Sequence, residues 1–227
     1  MGWPFASSLR ALLRPREAFR TEPPALGQAV WAMARVWLPL ALIHALGTTW
    51  RLLAAWRTLR IEGLPTGLLE RLGVDPLDLS DLLAALPPPP SFGRLWPWLL
   101  IAVPLGVLGT WLHHAVWDHT ALWLLGGLKE KRGFRTSLLA EAEALRWAAL
   151  GTLAGFLAWV PVLGGVLALP LLLLDGYLWL FRGFALAARH GCEPWRGVAA
   201  TVLHAILFGG FVLAMVLLML IMARMGA

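Results

Sequence analysis

The 227-residue chain has a single cysteine, Cys192. One thiol rules out an internal disulfide, and without a CxxC pair there is no cysteine framework for zinc or redox work. The first twenty residues, MGWPFASSLRALLRPREAFR, lack the uninterrupted apolar stretch of a secretory leader and hold arginines throughout. Membrane insertion is therefore expected to be driven by the first true span. MGWPFA also misses the myristoylation pattern, because Ala6 stands where Ser or Thr is required. There is no HExxH helix, no legible nucleophile–base pair and no inverted repeat. The sequence thus assigns no catalytic residue, no cofactor and no metal, and the expectation is a protein that is not an enzyme.

What is abundant is apolar surface. The chain is 59% apolar with a mean hydropathy of +0.71, whereas a soluble domain is about 45–50% apolar. Lipid is the solvent such a composition asks for. With about 20 residues needed per span, the length fits one all-α membrane domain over residues 1–227. The reading is a polytopic helix bundle of about five transmembrane helices plus short interfacial helices. The spans fall at 30–50, 96–125, 144–160, 162–181 and 198–223. The net charge of +6 does not imply nucleic acid. In a membrane protein, basic residues mark cytoplasmic loops and anionic headgroups.

Orientation follows from those basic residues. Arg10, Arg14, Arg16 and Arg20 precede span one; Lys129, Lys131, Arg132 and Arg135 follow span two; Arg182, Arg189 and Arg196 follow span four. The turn between spans three and four has none. The N-terminus, with residues 1–28 as an interfacial segment, is expected inside. Residues 51–94 then form an external loop. Within it, Asp75 and Pro76 open a short amphipathic helix that the proline run at 87–90 stops. Trp3, Trp50, Trp96, Trp98 and Trp195 fall near span boundaries, as an aromatic belt would.

Between helices in lipid, small residues permit close approach. Gly151 and Gly155 in span three, Gly210 in span five and Gly106 in span two are the expected contact points. Pro39, Pro104 and Pro170 are expected to kink or open their helices.

The run from Leu124 to Gly191 resembles the Yip domain, the membrane module of Ypt/Rab-interacting proteins and their bacterial relatives. Three features carry the likeness. Gly126 and Gly127 precede a basic, aromatic loop containing Arg132, Gly133, Phe134 and Arg135; Pro161 to Gly164 forms a Pro–x–x–Gly turn; and span four leaves through Arg189, His190 and Gly191. Arginine far outnumbers lysine and long tails are missing, which fits the bacterial branch. The resemblance implies five spans, an inside N-terminus in the bacterial inner membrane, and a non-enzymatic partner-binding or membrane-organising role. The loop residues Lys129, Lys131, Arg132, Phe134 and Arg135 would then meet anionic headgroups, a protein partner or a second copy of the chain.

The polar residues inside apolar stretches are the other candidates. In HHAVWDH, 113–119, His114 and Asp118 share a helix face while His113 and His119 each stand about 100° away. The stretch reads first as interfacial polar packing, then as an ion or proton site, and last as a metal site needing a ligand such as His204 from another helix. Asp175 lies deep in span four, where a lone carboxylate is costly unless paired. Arg35 and Arg146 are its expected partners, and Arg182 is expected to snorkel to the interface. The alternative function is a small ion- or proton-coupled transporter using Asp175, His114 and Asp118.

Overall fold

The computed structural model describes residues 12–19, 22–62, 88–128 and 132–225. Every regular element among them is helical, as the composition predicts. The elements are α1 (Pro15–Ala18), α2 (Leu26–Glu62), α3 (Phe92–Leu124), α4 (Phe134–Gly155), a 3-10 turn (Phe156–Trp159), α5 (Pro161–His190) and α6 (Pro194–Met225). Four stretches are long and apolar enough to cross a membrane: Leu26–Thr58, Phe92–Leu124, Val162–His190 and Pro194–Arg224. The chain is a multi-pass membrane protein. Their large apolar side chains point outward, Leu169, Leu172 and Leu173 on α5 and Phe211 to Met222 on α6 among them. This is the surface that only lipid covers at low cost.

Two sequence expectations shift. The predicted third span, 144–160, falls on the later part of α4 and the 3-10 turn, and α4 is not among the four apolar stretches. Glu141, Glu143 and Arg146 lower its hydropathy. The predicted external loop is shorter than 51–94, because α2 stays helical to Glu62 and α3 begins at Phe92. The helix expected after Asp75 lies outside the described residues. The helices also run unbroken through Pro39, Pro104 and Pro170.

The chain divides into two compact units, Ala41–Leu105 and the combination of Met1–Leu40 with Gly106–Ala227. In the smaller unit Leu53 is buried, and Trp50 packs edge-on against Phe92 at 5.5 Å. In the larger unit α5 is the centre, packed on α4, α6 and α1. α4 and α5 form an antiparallel hairpin. Val160 is extended at φ −85°, and Pro161 occupies the first helical position, where its fixed φ suits a helix start. α5 ends on Gly191 at φ +66°, a left-handed cap that glycine adopts without a Cβ penalty, with the Cys192 N–H returning to the Ala187 carbonyl.

Of the expected contact glycines, Gly151 alone has a close neighbour among the described residues. Among the described residues, a Cβ on Gly106, Gly155 or Gly210 would meet nothing within 4 Å, although one on Gly151 would press on Leu178 and Asp175. The closest crossing joins α5 to α6 at Gly183 and Gly197, where a Cβ on Gly197 would lie 2.0 Å from the Gly183 carbonyl oxygen. Around it, Ala140, Ala144, Phe181, Ala185, Leu186 and Ala200 form the core.

Candidate functional site

In the larger unit α3, α4, α5 and α6 each present an inward stripe, and each stripe contains at least one ionisable residue. On α3 the stripe is Val107, Trp111, Ala115, Asp118 and Leu122, spaced three or four residues apart and buried throughout. On α4 it is Ser137, Ala140, Glu141, Ala144 and Leu145; on α5 it is Leu178, Phe181, Arg182, Ala185 and Arg189; on α6 it is Ala200, Thr201 and His204. The apolar members bury each stripe and carry the charged one in with them.

The four groups meet. Arg182, only 2% exposed, lies 3.4 Å from Asp118 and 3.8 Å from Glu141. His204 Nδ1 donates to Asp118 Oδ1 at 2.6 Å. Trp179 backs the guanidinium with its ring face at 4.0 Å and donates its indole N–H to the Thr201 carbonyl. One guanidinium therefore faces two fully buried carboxylates. Asp118 Oδ2 and Glu141 Oε2 lie at ion-pair range of the two terminal nitrogens of Arg182, and among the described residues these atoms meet as charges without a hydrogen bond.

Two more histidines border this centre. His113, His114 and His204 form a near-equilateral triangle of ring centroids, 5.1 to 5.4 Å on a side. One ring nitrogen from each lies within 4.8 Å of the others. Phe208, Trp117 and Trp179 wall the triangle. Beside it opens a cavity of about 200 Å³ lined by Thr110, His114, Thr152, Asp175, Trp179 and Arg182 together with Trp37, Leu145, Ala148, Gly151 and Leu178.

The predicted site residues divide accordingly. His114 and Asp118 belong to the centre, as the reading of one shared face requires. Asp175 lines the cavity and makes no ion pair with Arg35 or Arg146, because those two stack on Trp31 and Trp147. Arg182 does not snorkel; it is the buried counter-charge, since its place on the inward stripe aims it at Asp118 and Glu141. Glu141 and His204 complete the set. Their alanine-rich surroundings on α4 and α6 were the available signal for burial, but not for mutual contact.

His119 belongs to a second cluster. Ser137 Oγ bridges His119 Nδ1 and His190 Nε2 at 2.9 Å each, and Arg189 grips Glu143 through two bonds of 2.5 and 2.6 Å. Arg132 donates to the Arg189 carbonyl, while Phe134 and Arg135 are exposed at the start of α4. Lys129 and Lys131 lie outside the described residues.

Comparison with family models, with curated proteins and with solved structures gives no match.

Proposed function

We propose that this chain is an ion-coupled membrane protein that takes a cation into the interior of its bundle without covalent chemistry. The observation that carries the reading is the imbalance at the centre: two buried carboxylates, Asp118 and Glu141, face the single guanidinium of Arg182. In a low-dielectric interior uncompensated charge is expensive, so the second carboxylate must be neutralised by a proton or by a further cation. The cavity supplies an approach, with the exposed carboxylate of Asp175 at one part of its lining and His114 and Arg182 at another. The distribution of arginines supports an inside N-terminus, and its predominance over lysine supports the bacterial inner membrane as the setting.

Purified chain in liposomes, given an inward gradient of H⁺, Na⁺ or Zn²⁺ in turn, is expected to accelerate entry of at least one of them over protein-free vesicles. Asp175→Asn is expected to slow that entry severalfold while leaving the chain folded. No acceleration for any of the three overturns the reading.

A second reading, the partner-binding role that the Yip resemblance implies, is favoured by a different surface. Arg132, Phe134 and Arg135 are exposed together where α4 begins, and a basic, aromatic rim suits anionic headgroups or an acidic partner. In-membrane crosslinking followed by mass spectrometry is expected to recover a partner through these residues, and recovery is expected to fall in the Arg132→Glu, Arg135→Glu variant. Crosslinks confined to lipid would sink the protein-partner form of this reading.

A further inference from the structure

The geometry points to a specific occupant for this centre: one borderline divalent transition-metal ion, of the Zn²⁺ class, held by His113, His114 and His204 with Asp118 behind His204. This rests on the cation reading above and narrows it. The donor set decides the class. Three imidazoles suit zinc, copper, nickel or iron, whereas calcium and magnesium require oxygen ligands that this triangle lacks.

The spacing agrees. Two nitrogens bound to one tetrahedral zinc at about 2.0–2.1 Å stand about 3.3 Å apart, and the Nε2 atoms of His113 and His204 are 3.3 Å apart. The simpler account of that distance is a hydrogen bond between the two rings. It leaves the third ring unexplained: His114 Nδ1 is buried and has no hydrogen-bond partner among the described residues, which costs free energy that a ligand bond would recover.

The tautomer agrees as well. His204 donates its Nδ1 proton to Asp118 at 2.6 Å, so the Nε2 lone pair is directed at the triangle. A carboxylate that fixes a histidine in this way is the usual outer support of a metal-binding imidazole. Asp118 and Glu141 also offset the nearby Arg182, which would otherwise repel a dication. Three protein ligands leave a fourth position, and the cavity that His114 shares with Asp175 lies beside it. A closed structural site has four protein ligands; a site with one position open exchanges its ion or binds a small ligand there.

The test uses the full chain in nanodiscs, stripped with chelator and dialysed against Zn²⁺ or Co²⁺. One equivalent is expected by elemental analysis, with the intense visible absorption of four-coordinate Co²⁺. The His113→Gln, His114→Gln double variant keeps the Asp118–His204 pair intact and is expected to lose at least tenfold in affinity. Asp118→Asn is expected to lose about 10–100-fold. Unchanged binding in a monodisperse double variant, or no binding by the parent, overturns the assignment. If the parent carries H⁺ or Na⁺ but binds neither metal, the metal site falls and the cation reading stands. If it binds one ion tightly but moves none, the metal site stands and the transport reading falls.

Discussion

Arg182→Met is expected to lower the stability of the bundle by about 3–5 kcal/mol, the usual effect of removing one partner of a buried ion pair. Two carboxylates, each fully buried, would then face each other with no guanidinium between them. The loss of the cation–π contact with Trp179 adds to the effect. In a thermal melt followed by circular dichroism, this corresponds to a fall of roughly 10 °C for a chain of this size. The informative comparison is the triple variant with Asp118→Asn and Glu141→Gln, which removes the stranded charges. It is expected to recover most of the loss, because neutral groups of the same shape can share hydrogen bonds. A single Arg182→Met variant that melts with the parent would show that the four helices are not tied together through this centre.

The second large effect is expected at the α5–α6 crossing. An added methyl on Gly197 would lie 2.0 Å from the Gly183 carbonyl oxygen and 2.8 Å from the Ala187 Cβ. The first of these neighbours is backbone, which cannot rotate aside, so the two helices must move apart. Overpacking in a well-filled core costs about 1–3 kcal/mol, and Gly197→Ala is expected at or above the upper end. Separation of α5 from α6 would also lengthen the path between Arg182 and His204. Gly210→Ala provides the contrast, since a Cβ there meets nothing within 4 Å among the described residues. With only helix propensity at stake, it is expected to be neutral or to stabilise by up to about 1 kcal/mol. Equal melting temperatures for the two variants would mean that the crossing is not held by backbone contact.

These two sites show where sequence reasoning reached and where it stopped. Gly151 and Gly155 are conspicuous in sequence because they repeat at a four-residue spacing on an apolar helix. Only Gly151 has a neighbour. Gly183 and Gly197 form no such motif, each being a lone glycine whose partner lies on another helix. The same asymmetry governs the charges. His114 and Asp118 could be placed on one face, because the helical period relates residues within a single helix. Arg182, Glu141 and His204 are assembled from three others, and no periodicity links them. Arg182 sits near the end of an apolar run, where a long side chain ordinarily reaches the interface; its buried position on the stripe of α5 depends on how that helix is rotated against α3 and α4.

The sequence by itself determined the solvent and the helical class. It did so because apolar length against bilayer thickness is a local quantity and backbone hydrogen bonds in lipid must be satisfied within the segment. It also determined which residues were too polar to be incidental. Which of them meet was decided only by the tertiary structure. In lipid no bulk hydrophobic drive fixes the rotation of one helix against another, so small-residue contacts and buried polar pairs set it. Those are pairwise terms between residues as far apart in the chain as Asp118 and His204.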